Sequence, residues 1–155
     1  MRQERLRSLI ASAERHTRAG RLGRAVRAYR KVLAQARIGE YEHELAQVRL
    51  GDLHLGQGRA ELAWAHLERA RHLAADEPEY ALMAGRALAA AGRTHEAAGH
   101  LFDAVGSPTH ASEALVELAR LAGQRGDRRA ARRLAAHAGR HDPRLRGLSR
   151  DYADA

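Results

Sequence analysis

The sequence predicts an all-α protein built from repeated helical hairpins, and three features carry that expectation. Of its 155 residues 34 are Ala, while aromatic residues make up only 4%, so the 45% apolar fraction is mostly small side chains in a background of good helix formers. Pro occurs only at 78, 108 and 143, too rarely for the turn-rich chain of a β-sandwich or barrel. Glycine recurs at a fixed interval: Gly58, Gly92 and Gly126 are 34 residues apart, and so are Gly51 and Gly85.

The same interval relates Ala63, Ala97 and Ala131, and also Ala70, Ala104 and Ala138. It gives units at 44–77, 78–111 and 112–145. An earlier unit at 6–39 fits with four inserted residues, with Gly20, Ala25, Tyr29 and Val32 in the corresponding places. Each unit splits at its glycine into two apolar-periodic segments of helical length. In 44–77, Leu45, Val48, Leu50 and Leu53 precede Gly58, and Leu62, Trp64, Leu67 and Ala70 follow it. Ala63 and Ala70 lie seven apart on one face, opposite Gly51 on the partner helix. The two helices can therefore approach closely, and a bulky residue there would force the hairpin open. The segment 146–155 is left as a tail, either docked through Leu145 and Leu148 as a short helix or frayed.

This set of positions resembles the tetratricopeptide repeat (TPR), over residues 6–145. Small residues fall at repeat positions 8 (Ala13, Gly51, Gly85, Ala119), 20 (Ala25, Ala63, Ala97, Ala131) and 27 (Val32, Ala70, Ala104, Ala138). Pro143 stands at position 32, with Pro108 one place early. The aromatic residue of position 4 is missing (Leu9, Gln47, Ala81, Leu115), and position 11 holds His16 and His54 where an apolar residue is usual. The resemblance implies a right-handed α-solenoid of four hairpins in one domain, with the short C-terminal segment appended and first helices lining a concave face.

Stacking requires a stripe on each second helix, at positions 17, 21, 24 and 28. The stripe reads Leu22, Val26, Tyr29, Leu33, then Ala60, Trp64, Leu67, Arg71, then Thr94, Ala98, Leu101, Val105. In the last unit it becomes Arg128, Arg132, Ala135 and Gly139, polar as a terminal cap should be, so the array is expected to end there as a four-unit protein.

The resemblance also places Val48, Arg49, Asp52, Leu82, Met83, Arg86, Val116 and Arg120 on the concave face. That is an apolar strip flanked by guanidinium groups, suited to a peptide with apolar anchors and a carboxylate that Arg can grip. The expected function is a non-enzymatic protein–protein interaction scaffold for a protein or peptide partner. Recognition of a chaperone tail is not expected. Ile10 and Glu14 stand where that subfamily places carboxylate-binding Lys and Asn, Glu79 and Met83 take other such positions, and the chain has no Asn.

The alternative is nucleic acid or another polyanion. The net charge of +8 is concentrated: residues 120–150 carry ten Arg against Asp127 and Asp142, and Arg128, Arg129, Arg132 and Arg133 cluster on the last hairpin. Few aromatic residues are present to stack on single-stranded bases, and capping already accounts for part of the cluster.

Other chemistry finds little support. Without Cys there is no disulfide, thiolate ligand or thiol nucleophile. His137 and His141 are four apart beside Asp142, but they are expected to straddle a helix end without a third ligand, so no metal or other cofactor is expected. Gly106-Ser107-Pro108 reads as a turn between units, and Glu113 with Glu117 as a solvated i,i+4 pair. No apolar run reaches membrane-spanning length and the first residues carry no export signal, so a cytoplasmic location without membrane association is expected.

Overall fold

A computed structural model of the chain describes residues 1–74 and 78–152, with the side chains of 71–74 left aside. The expected stripe residue Arg71 and the end of the tail at 153–155 therefore lie outside the described residues. Eight α-helices are present among the described residues, with no strand: α1 (Arg2–Arg18), α2 (Leu22–Gln35), α3 (Tyr41–Gly56), α4 (Ala60–Ala74), α5 (Pro78–Ala90), α6 (Thr94–Val105), α7 (Ala111–Gln124) and α8 (Arg128–His141). They pair in sequence as four hairpins, each turning at the glycine that marks the repeat. α1 and α3 begin four and three residues ahead of the repeat frame, at Arg2 and Tyr41.

The turn has one physical form. Gly20, Gly58, Gly92 and Gly126 have φ of +67°, +71°, +78° and +81°, the left-handed region that only a residue without Cβ enters freely. The next N–H, from Arg21, Arg59, Arg93 or Asp127, donates to the carbonyl five residues back, on His16, His54, Leu88 or Ala122, at 2.9–3.0 Å. This is the Schellman closure of a helix C-terminus, and it satisfies a carbonyl the helix would otherwise leave open. The second helices start less uniformly. Arg21, Arg93 and Asp127 hold similar N-cap conformations (φ −84°, −83° and −82°), yet of the three only Asp127 caps with its side chain, accepting from the Ala130 N–H at 2.9 Å.

Between the helices of a hairpin the small residues do what their spacing predicts. Ala25, Ala63, Ala97 and Ala131 are fully buried, as are Val32, Ala70, Ala104 and Ala138. A Cβ on Gly51 would stand 2.7 Å from Leu67 Cγ and 3.3 Å from the Ala63 carbonyl oxygen; on Gly85 it would stand 2.6 Å from Leu101 Cγ and 3.3 Å from the Ala97 oxygen. The repeat thus trades a Cβ on the first helix for a fully buried Leu on the second, a side chain whose burial contributes roughly 2–3 kcal/mol.

The chain forms two compact units, Met1–Ala75 and Asp76–Ala155. In the first, the stripe on α2 is used as expected: Val26 and Tyr29 are buried in one core with Ala46, Leu50 and Leu53 of α3 and with Leu6 and Ala13 of α1. In the second, α6 packs on α7, and the chain beyond α8 folds back onto it as two short 3-10 turns, Pro143–Leu145 and Leu148–Tyr152. The tail is therefore docked through residue 152. A Cβ on Gly139 would lie 2.9 Å from Arg146 Cα, and one on Gly123 would lie 2.9 Å from the Tyr152 ring. The last stripe is polar only in its first half: Arg128 and Arg132 are exposed, while Ala135 and Gly139 are buried.

Adding a side chain has opposite signs at two glycines of one hairpin. Gly99, inside α6 with open space around it, gains about 1 kcal/mol on replacement by Ala. Gly85→Val loses about 2 kcal/mol because Leu101 has no room to yield, and urea unfolding of the two variants reads the difference directly. Capping gives a second pair: Asp127→Ala lowers stability by about 1 kcal/mol, and Arg21→Asp raises it by about 0.5–1 kcal/mol, both measurable as shifts in the urea midpoint.

Candidate partner-binding surface

In the second unit the first helices α5 and α7 touch, and the charged residues expected to face a partner meet each other. The Arg86 guanidinium donates to Glu113 Oε2 at 2.9 Å and to Glu117 Oε1 at 3.1 Å; Arg120 donates to Glu117 Oε2 at 3.0 Å. Glu113 and Glu117 are thus not simply a solvated pair. Glu117, its side chain 19% exposed, holds one guanidinium on each of its oxygens, and Glu113 supplies Arg86 with a second carboxylate. Arg86 is consequently a strut between α5 and α7. Arg120, 44% exposed and tied among the described residues to Glu117 alone, keeps donors facing solvent.

The apolar strip is uneven. Val116, one turn before Arg120 on α7, is half-buried, whereas Leu82 and Met83 are buried at 3% and 7% exposure and have little surface to offer. In the first unit, Val48 and Arg49 of α3 are half-buried and Asp52 is exposed. The structure therefore brings Arg86, Val116 and Arg120 together on two neighbouring helices, and places Val48, Arg49 and Asp52 at the equivalent positions of α3.

One polar cluster was not assembled by the sequence reading, although His54 stood out as an unusual occupant of position 11. His54 and His66 stack face to face inside the second hairpin, ring centroids 5.4 Å apart and planes 11° from parallel. The His66 Nδ1–H donates to Gln47 Oε1 at 2.7 Å, and both nitrogens of His54 are buried with no hydrogen-bond partner among the described residues. Burial holds the His66 imidazole down to about 4, helped by His54, Arg69 and Arg30; burial also lowers His54, with Arg59 and Arg30 adding to it. Both rings are neutral at neutral pH.

Elsewhere the sites considered from sequence resolve simply. α8 runs through His141, so His137 and His141 lie within one helix rather than across its end, with Nε2 atoms 3.3 Å apart. No group of three His, Asp or Glu able to hold an ion occurs among the described residues. Ser107 Oγ pairs with Thr109 Oγ1 at 3.0 Å in the turn before α7. No described helix is long and apolar enough to cross a membrane.

No family model matches the chain, nor does any curated protein. Among solved structures it is similar to MamA, at 18% identity and a TM-score of 0.80, over 97% of this chain and 84% of that one. It is similar also to a thermophilic TPR protein of Thermus thermophilus, at 22% identity and a TM-score of 0.66, over 96% and 81%. The O-GlcNAc transferase of Thermobaculum terrenum matches at 26% identity and a TM-score of 0.78 over 90% of this chain, which spans about a quarter (26%) of that enzyme. With the hairpin geometry, these likenesses define the class: an all-α helical-repeat protein of the solenoid type. Its four hairpins have the fold of the tetratricopeptide-repeat structures it is similar to.

The buried imidazoles make stability depend on acidity. An unfolded His protonates near 6.5, whereas His66 in the fold resists until about 4, so the unfolded state binds the extra proton first. The His66 contribution is complete above pH 6.5, falls as the pH drops through the interval to about 4, and changes no further below it, a total of about 3 kcal/mol. His66→Gln is expected to flatten the decline in melting temperature between pH 7 and pH 4.5, measured by circular dichroism against the unaltered chain.

Proposed function

We propose that the protein is a non-enzymatic scaffold that binds a peptide segment of a partner protein on its first helices. The observation that carries the reading is the arginine–carboxylate network on α5 and α7, beside half-buried Val116. A guanidinium held at one edge by Glu117 loses less freedom when it takes a second carboxylate at the other, so Arg120 is a prepared donor for an acidic residue of a peptide. Val116 supplies an apolar contact one turn away, and Val48, Arg49 and Asp52 offer the same mixture on α3. Leu82 and Met83 support the surface from below, and Arg86 fixes the spacing of α5 and α7.

Panning a random peptide display library on the protein tests this reading. Selected sequences should pair an acidic residue with an apolar one three or four positions away. Arg120→Glu, which leaves the helical circular-dichroism signal unchanged, should weaken their binding at least tenfold. Enriched peptides that bind Arg120→Glu as well as the unaltered protein would place the site elsewhere.

A further inference from the structure

Of the arginines on the fourth hairpin, Arg128 and Arg132 occupy the stacking stripe, where a polar end to the array would account for them. The stripe does not include Arg129, Arg133 and Arg140. These stand at repeat positions 18, 22 and 29, on the side of the second helix that needs no cap because it already faces solvent. In the first hairpin the same places hold Gly23, Arg27 and Ala34, and in the third His95, Gly99 and Gly106, all exposed. Only the last hairpin fills all three with Arg, and all three are exposed there too.

Spacings of four and seven residues, eleven in all, bring Arg129, Arg133 and Arg140 onto one face of α8, a stripe of roughly 16 Å with Arg132 along its edge. None of these four makes an ion pair among the described residues. The nearby acids are already engaged: Asp127 caps α8, and Asp142 accepts from Arg144 at 3.0 Å. The charge is thus uncompensated within the fold. The residue between the arginines on this face is Ala136, and no larger apolar side chain accompanies them.

We infer that this face of α8 binds the phosphate backbone of a nucleic-acid duplex without reading its sequence. A duplex presents one charge per about 1.7 Å of axis, so a stripe of this length lies along roughly ten phosphates, and three or four guanidiniums find partners in any register. A protein partner would need apolar anchors at the centre of the contact, and a bilayer would need side chains to insert. The stripe has neither. This surface is separate from Arg120 and does not rest on the peptide reading.

Anisotropy of a labelled 20-base-pair duplex of arbitrary sequence, as DNA and as RNA, tests the inference in 50 and 200 mM salt. With three or four phosphates neutralised, affinity should fall roughly 40- to 150-fold between the two salt concentrations. The triple variant Arg129→Gln, Arg133→Gln, Arg140→Gln, with helical content checked by circular dichroism, should lose most low-salt affinity and flatten the log–log slope by about 2.7. Arg5→Gln, at an exposed arginine of α1, should bind duplex like the unaltered protein. No binding at 50 mM salt would overturn the inference, as would a triple variant that binds equally well. Competition by polyglutamate or anionic vesicles as effective as that of unlabelled duplex would also overturn it.

Discussion

The structure depends on two helices approaching until a glycine on one receives a leucine from the other. At Gly51 and Gly85 the backbone itself is the contact surface, leaving less than 3 Å between an absent Cβ and the leucine Cγ. That closeness explains how a chain with six aromatic residues forms a core at all. Small residues bury little area each, so the fold compensates by bringing backbones together along the whole hairpin, where many short contacts accumulate. The glycine turns serve the same end. A left-handed residue with its back-donated hydrogen bond reverses the chain within three residues, which keeps the paired helices in fixed alignment.

Once the hairpin is fixed by a few small positions, the remaining positions are free to differ, and the chain differs there in systematic ways. First helices of the second unit carry acids and arginines that find one another across α5 and α7. The second helix α8 carries Arg129, Arg132, Arg133 and Arg140, while the acids at its two ends are engaged elsewhere, Asp127 as its cap and Asp142 with Arg144. The contrast is physical. Residues on neighbouring helices of like type sit side by side and can neutralise each other. Those on α8 stand on a face of the second helix that is exposed in the first and third hairpins as well.

Much of this was legible in the sequence because the governing constraints are local or periodic. The interval of 34, the turn glycines and the alanines at positions 20 and 27 each mark a backbone requirement that few residues satisfy, so identity reveals place. The charged surface was less legible. Arg86 and Arg120 could be assigned to a face, but their bonds to Glu117 depend on rotamers chosen across two helices, and Leu82 and Met83 could be put on the same face without their burial being apparent. The His54–His66 stack was hidden for a similar reason: twelve residues and a turn separate the rings, and neither belongs to the repeat pattern. The tail was ambiguous because its docking relies on Gly139 and Gly123, glycines outside the set that the period picks out.

The buried imidazole stack is the place where the chain departs furthest from what packing alone would choose. An apolar residue at position 11 would bury its surface without leaving two ring nitrogens unpartnered, a state that lowers stability by an amount comparable to a lost hydrogen bond. Gln47 does not reach those nitrogens; it accepts from His66, which fixes that ring's tautomer and its orientation against His54. Gln47 itself stands at position 4, where the repeat ordinarily has an aromatic residue. The two departures of the second hairpin from the repeat pattern, Gln47 and His54, therefore meet on one residue, His66, which bonds the first and stacks on the second. A polar pair has replaced an apolar plug, and each half is acceptable only because the other is present: Gln47 alone would bury an unmet carbonyl, and His66 alone an unmet N–H. Coupling of this kind explains why neither residue is interpretable singly in the sequence, and why the hairpin keeps its geometry despite them.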